Sequence, residues 1–175
     1  MLQDVVTQIE SLVQEETNSM HTAIPGTILS FDKQTGRATV QPKGRIKMSE
    51  TEYLDYPQIN DVPVVFPFCS SLAAGIAFPV NSGDSCLLIF SEQALDFWLG
   101  RGETSSELKY SLTNAVAIPG LVKFSPDMLV EANSEQCLIA ACGENKIKVG
   151  KDKTEFSGNV VIAGNLEVKG KINNQ

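Results

Sequence analysis

Carboxylate pairs are the residues of this sequence whose spacing could support chemistry. Asp55 and Asp61 flank one loop, and Glu92 and Asp96 lie one helical turn apart, so either pair could hold a cation. The segment Gly83-Asp84-Ser85 has the residue types of a nucleophile motif, yet no glycine follows the serine at the spacing of a nucleophile elbow. Solvated acids and a turn are the simpler interpretation, and we predict that the chain is not an enzyme.

Histidine and cysteine residues are the usual ligands of zinc and the usual nucleophiles and bases. The one histidine, His21, excludes a site built from several imidazoles. Cys69, Cys86, Cys137 and Cys142 form no CxxC pair, and the last two lie in an apolar, strand-like segment with no histidine nearby. We interpret the cysteines as small core residues and predict no metal and no cofactor.

The charge of the chain is acidic and uneven. Its 175 residues carry a net charge of −7 with a pI near 4.7, whereas nucleic-acid binding normally needs a basic face. We therefore predict no nucleic-acid partner. From residue 143 to the end, six lysines stand against four acidic residues. This local excess suits contact with an anionic cell envelope, or it keeps exposed strand edges soluble.

The N-terminal segment, residues 1–20, is predicted to form an amphipathic helix. Apolar side chains recur every three or four residues and would line one face: Leu2, Val5, Val6, Ile9, Leu12 and Val13. Such a stripe must dock, either on its own domain, or on a neighbouring subunit or larger assembly. The segment lacks the basic start and apolar run of a secretory signal, and no apolar run approaches the roughly 18 residues of a membrane span.

Residues 21–126 have the pattern of a small β-barrel. Strand-like segments separated by turn residues occur at residues 24–31, 37–42, 62–67, 85–90 and 114–120. The run 85–90 is almost wholly apolar, which predicts a central, buried strand. A short helix is predicted at residues 93–99, with Trp98 as a cap on the core. An OB-fold barrel fits this content, and a flattened β-sandwich is the competing fold.

The last stretch of the chain repeats every six residues. Glycine marks each start, at Gly158, Gly164 and Gly170, and apolar side chains alternate between the glycines: Val160, Ile162, Leu166, Val168 and Ile172. Alternation of period two predicts strands with one buried face, joined at glycine corners. So few repeats cannot bury that face alone. We predict an intertwined, trimeric β-helix or prism within residues 127–175, with these five side chains in the trimer core.

Several of these blocks, taken in order, resemble a known family. Residues 21–26, 38–42, 63–67, 87–90 and 114–121 look like the N-terminal OB domain of phage membrane-piercing central spikes. The glycine repeats look like the start of the trimeric β-helix that follows that domain. The resemblance covers residues 21–121 and, separately, the repeats.

The resemblance implies a homotrimer at the centre of a contractile-tail baseplate, in a phage or a phage-tail-like bacteriocin. The chain would be made in the bacterial cytoplasm and assembled into the particle. Its OB domains would form a collar on the baseplate hub protein, and sheath contraction would drive the shaft through the target cell envelope. Many such spikes end in a His-x-His iron site. No histidine follows His21 here, so iron is not carried over, and a separate spike-tip protein is one alternative.

The sequence therefore predicts a mainly-β chain in three parts: a helix over residues 1–20, an OB-fold collar domain over 21–126 and a β-helix spike segment over 127–175. Two other functions stay open. One is an OB-fold module that binds single-stranded nucleic acid or glycan. The other is a hexapeptide-repeat acyltransferase, which is also trimeric but stacks many coils and uses a late histidine that this chain lacks.

Overall fold

The chain forms two compact units, each dominated by β-strands. The structure is a computed structural model that describes residues 2–49, 51–100, 102 and 108–172, without the side chains of residues 2, 3, 15, 18 and 19. Unit 1 comprises Met1–Leu121, and unit 2 comprises Val122–Gln175. The mainly-β prediction is confirmed, and the predicted N-terminal helix is present.

Unit 1 begins with helix α1, Leu2–Ser19, and continues mostly as strands. In chain order its further elements are β1 (Ala23–Asp32), β2 (Arg37–Pro42), β3 (Arg45–Lys47), β4 (Tyr53–Asp55), β5 (Ile59–Pro63), β6 (Phe68–Cys69), a 3-10 helix (Ser70–Leu72), β7 (Ala74–Gly75), β8 (Ser85–Phe90), α2 (Leu95–Trp98) and β9 (Ala115–Pro119).

The main sheet of unit 1 is antiparallel and curls into a half-barrel. Its strand order is β5-β2-β1-β8-β9, so β1 lies in the middle. A bulge between Ile28 and Ser30 shifts the register of β1 against β2, and bulges increase local twist. Val64, just after β5, forms a parallel bridge to Ala117 in β9, the opposite edge strand.

The concave side of this sheet holds the core. Ile28, Val40, Val62, Cys86 and Leu88 are its largest fully buried side chains. They come from four strands and alternate with exposed or half-buried residues, as strand geometry requires. Gly26 also faces this core: a Cβ built on it would lie 2.7 Å from Val40 Cγ1 and 3.2 Å from Cys86 Sγ. The sheet can therefore pack this closely only because position 26 has no side chain.

A tight turn connects β1 to β2, as the sequence predicts. The carboxylate of Asp32 accepts hydrogen bonds from the Gln34 N–H at 2.9 Å and the Thr35 hydroxyl at 2.8 Å. These two hydrogen bonds, and mainly the one from Gln34, lower the pKa of Asp32. Gly36 completes the turn at φ +68°, a left-handed conformation that favours glycine.

One buried amide fixes the segment between β8 and α2. Asn114 is 3% exposed. Its Nδ2 donates to the carbonyl oxygens of Ser91 at 3.0 Å and Gln93 at 2.8 Å, and its Oδ1 accepts from the Leu95 N–H at 2.8 Å. Because Leu95 begins α2 and Ala94, its N-cap residue, has no side-chain acceptor, Asn114 caps the helix from a distant part of the sequence.

Three details of unit 1 differ from the sequence prediction. The strand expected at residues 62–67 lies earlier, at Ile59–Pro63. Strand β8 is flanked on both sides, but only one of its faces is fully buried: Cys86, Leu88 and Phe90 are buried whereas Ile89 is 37% exposed. The prediction that Trp98 caps the core is wrong, because its side chain is 77% exposed.

Unit 2 contains one helix and a three-stranded antiparallel sheet. Its elements are α3 (Asp127–Glu135), β10 (Leu138–Cys142), β11 (Asn145–Val149) and β12 (Thr154–Ser157), with strand order β10-β11-β12. Helix α3 was not predicted from the sequence. Among the residues that the structure describes, no helix is long and apolar enough to cross a membrane.

Candidate assembly surfaces

Helix α1 presents an uncovered apolar stripe. Its described members, Val5, Val6, Ile9, Leu12 and Val13, are between 49% and 61% exposed, so the stripe is not buried within the single chain. The Leu2 side chain lies outside the described residues. The stripe takes three positions per heptad, which is wider than the two-position seam of a simple coiled coil. It therefore suits a groove or bundle in which several surfaces surround the helix.

The junction between α1 and β1 is anchored in unit 1. The imidazole of His21 lies 5.5 Å from the ring centres of both Tyr56 and Phe90, and its backbone N–H donates to the Tyr110 carbonyl at 3.1 Å. Burial lowers the pKa of His21, since desolvation disfavours the charged imidazolium. His21 is thus a packing residue that ties the end of the helix to the sheet.

A second uncovered surface was missed by the sequence analysis. From Val62 to Gly83 the chain has no charged residue, and the hairpin β6–β7 within it exposes Phe68 to 60%, Leu72 to 81% and Ile76 to 67%. This stretch of 22 uncharged residues is the sequence feature that could have predicted the surface. Such a surface on a soluble protein is typical of an interaction site.

Three of the four acidic residues considered as cation ligands pair with basic side chains of the chain. Asp55 lies 3.0 Å from Arg45 Nε, Asp61 lies 3.1 Å from Arg37 Nη1, and Glu92 lies 3.0 Å from Lys109 Nζ. In the described part of the chain, no three His, Cys, Asp or Glu side chains come together in a way that could hold a metal ion. Ion pairs within the chain thus account for Asp55, Asp61 and Glu92.

The four cysteines are free and differ in burial. Cys86 is buried, Cys137 is half-buried, and Cys69 and Cys142 are exposed. Burial raises the pKa of the Cys86 thiol to about 11, so this side chain is a neutral core residue at neutral pH. The core interpretation holds for Cys86 and is wrong for the two exposed cysteines.

The glycine repeats carry the apolar residues predicted for a trimer core, and all of them are exposed in the single chain. Val160 is 60%, Leu166 66% and Ile172 69% exposed, and Ile162 and Val168 are also exposed. Gly158 has φ +110°, which permits a corner, whereas a Cβ added at Gly164 or Gly170 would meet no atom within 4 Å. Residues 158–172 form no strand in the single chain, so the β-helix stays a prediction that requires other chains.

Ion pairs hold helix α3 against one side of strand β11. Glu131 pairs with Lys146 at 2.7 Å and also with Lys148, and Glu135 lies 2.9 Å from Lys148. Hydrogen bonds from Lys146 and Lys148 lower the pKa of Glu131. The paired carboxylates of α3 and the two lysines of β11 therefore lie on the same side of unit 2.

A family model described as "Phage protein Gp138 N-terminal domain" matches residues 24–120, more than half of the chain. No curated protein matches the chain. The matched segment runs from the second residue of β1 to just after β9 and includes the five strands of the half-barrel.

Proposed function

We propose a central-spike role for this chain from the premise that it belongs to the family of the phage protein Gp138 N-terminal domain. That membership supports a structural role in the phage tail or baseplate, as part of the virion. The finer proposal is a homotrimeric spike with no enzymatic activity that caps the baseplate hub. On sheath contraction it pierces the target cell envelope.

The observation that carries the proposal is the uncovered apolar alternation of the glycine repeats. Five alternating apolar side chains, from Val160 to Ile172, are at least 44% exposed in the single chain. Their burial would contribute about 25 cal/mol for each Å² of apolar surface removed from water. Three identical chains around one axis would cover all of them, with the glycines at the corners. A shaft of this kind resists bending, which suits a piercing device.

The half-barrel of unit 1 is the part that we assign to an OB-type collar. Its five-stranded curled sheet and the Val64–Ala117 bridge between opposite edges support a small barrel. The wide, exposed stripe of α1 and the uncharged hairpin supply apolar contact surface for partners.

We assign the hub contact to α1 because of its charge. Residues 1–20 carry four acidic residues and no lysine or arginine, and Glu16 falls at a stripe position of the heptad pattern. A bundle of three α1 helices would gather only like charges, which is unfavourable. A hub groove with an apolar floor and a basic rim would complement the helix.

The experiment that tests the proposal is the solution mass of the full chain, measured by analytical ultracentrifugation at micromolar concentration. We expect a trimer. A chain that lacks residues 1–20 should also be a trimer, because we assign α1 to the hub. A monomeric full chain would refute the spike and favour a small-barrel binding module. Loss of the trimer on removal of α1 alone would refute the assignment of α1.

Neighbouring valines provide a matched pair of variants. Val160→Asp would place three unpaired carboxylates at the trimer axis, at a cost on the order of several kcal/mol, and the trimer should dissociate. Val161, which is 91% exposed and alternates to the other face, should tolerate aspartate. If both variants remain trimers, Val160 does not face the axis.

A further inference from the structure

We infer that the contact between copies begins before the glycine repeats, in the β10–β12 sheet of unit 2. One face of this sheet, here called the uncharged face, would meet the same face of two further copies. Its apolar members are Leu138, Ala140, Ile147, Val149 and Phe156. The inference rests on the proposed homotrimer and adds a contact surface outside the five side chains that the sequence predicts for the trimer core.

Strand register defines the uncharged face. Leu138 pairs with Val149 and Ala140 with Ile147 across β10 and β11, and Ile147 pairs with Phe156 across β11 and β12. Directly opposed residues of an antiparallel pair have their side chains on the same side of the sheet. The five side chains therefore form one continuous apolar surface. Leu138 is 64% and Phe156 58% exposed, so the single chain leaves this surface uncovered.

The other face of the same sheet holds all the charge of these strands. Lys146, Lys148 and Glu155 alternate to that side, and Lys148 pairs with Glu155 in the register. Helix α3 lies over this side, since Glu131 and Glu135 form ion pairs with the two lysines. Helix α3 thus lies over part of the charged face, and the apolar face is left for another occupant.

Charge distribution favours identical copies as the occupant. When equal surfaces meet around a symmetry axis, each charged residue comes near its own copies, and like charges repel. The uncharged face avoids this cost because its remaining members are Cys142, Asn145 and Thr154. Helix α1, with four acidic residues and no basic one, is the opposite case.

Continuity with the repeats is the second argument. Strand β12 ends at Ser157, and the first repeat starts at the next residue, Gly158. The alternation of apolar residues thus continues within unit 2 from Phe156 to Val160 with one glycine corner between them. A trimer held by the repeats brings three β10–β12 sheets close together, and their exposed apolar faces are then the surfaces available for burial.

Two neighbouring alanines test the inference in the full chain. Ala140 lies on the uncharged face, and Ala141 lies on the other face, paired with Lys146. Both are exposed in the single chain, so aspartate at either position should leave the folded chain intact, which circular dichroism checks. We expect Ala140→Asp to raise the dissociation constant of the trimer on the order of 100-fold or more. Ala141→Asp should leave that constant unchanged.

A second measurement needs no disruptive variant. Cys142 lies on the uncharged face and is exposed in the single chain. Maleimide labelling followed by peptide mass spectrometry should show Cys142 protected in the full chain and labelled in Ala140→Asp. Rapid labelling of Cys142 in a trimeric full chain would overturn the inference, as would equal trimer dissociation constants for Ala140→Asp and Ala141→Asp.

A truncated chain separates this inference from the proposed function. Residues 1–157 retain β10–β12 without the repeats, and we expect them to form a weaker trimer. If the full chain is a trimer and residues 1–157 are monomeric at every concentration, the inference is wrong and the spike proposal stands. If the full chain itself is monomeric, both are wrong.

Discussion

Replacing the buried Asn114 with alanine should lower the free energy of unfolding of the half-barrel in unit 1. The decrease should exceed that caused by replacing an exposed amide side chain. The side chain is 3% exposed and makes three hydrogen bonds, to Ser91, Gln93 and Leu95. Asn114→Ala removes all three and leaves two carbonyl oxygens and one N–H without that partner. Access of water to these groups is restricted there, so the loss is not recovered.

The expected loss follows from the number of bonds. Each contributes about 0.5–1.5 kcal/mol, and a buried group left unpaired costs about 1–3 kcal/mol. We therefore expect a decrease of roughly 3 kcal/mol in the free energy of unfolding. For a chain of this size, about 2–4 °C per kcal/mol corresponds to a fall in melting temperature of about 6–12 °C.

Urea unfolding followed by circular dichroism measures the change, and Trp98, the one tryptophan, reports locally on α2 through its fluorescence. Asn133→Ala is the control: its Nδ2 donates one exposed bond to the Leu129 carbonyl, so its effect should stay below about 0.5 kcal/mol. A loss below about 1 kcal/mol for Asn114→Ala, with an unchanged slope against urea, would refute the argument that Asn114 caps α2.

Two further substitutions probe the sheet and its junction with α1. Because burial lowers the pKa of His21 from its ordinary 6.5, the unfolded chain binds the proton more readily, so stability should be full above pH 6.5 and fall below it. His21→Phe should remove that part of the pH dependence in thermal melts, and an unchanged pH profile would contradict it. Gly26→Ala should destabilise by about 1–3 kcal/mol through overpacking, since its Cβ would lie 2.7 Å from Val40 Cγ1. Gly102→Ala is the control, since its Cβ would meet no described atom within 4 Å, and equal melting temperatures for the two variants would contradict the clash.

Local patterns were enough to predict most of the half-barrel. The turn at Asp32–Gly36 and the strands before and after it follow from turn chemistry and alternation, and the structure has them as β1 and β2. The two-faced burial expected for β8 was wrong because an apolar run does not reveal whether a second layer covers the outer face. Whether the outer face of β8 is covered depends on other parts of the fold.

Other elements depend on contacts that no local window contains. Helix α3 has a proline before it and Asp127 in its first turn, which are helix-start signals, but its position is fixed by pairs from Glu131 to lysines 15 and 17 residues away. Asn114 caps α2 from 19 residues away. The repeats show the limit most clearly, because their apolar face has no partner in one chain and so no strand forms.

The short path from α1 into β1 has a mechanical consequence. Helix α1 ends at Ser19, β1 begins at Ala23, and between them His21 and Thr22 are already hydrogen-bonded to unit 1. Strand β1 is paired with β8 over Ala23–Thr27 and with β2 over Gly26–Asp32. Ladder bonds run perpendicular to the strand, so tension along α1 loads them together in shear instead of peeling them singly. A load transmitted through the helix is therefore resisted most strongly along the direction of β1.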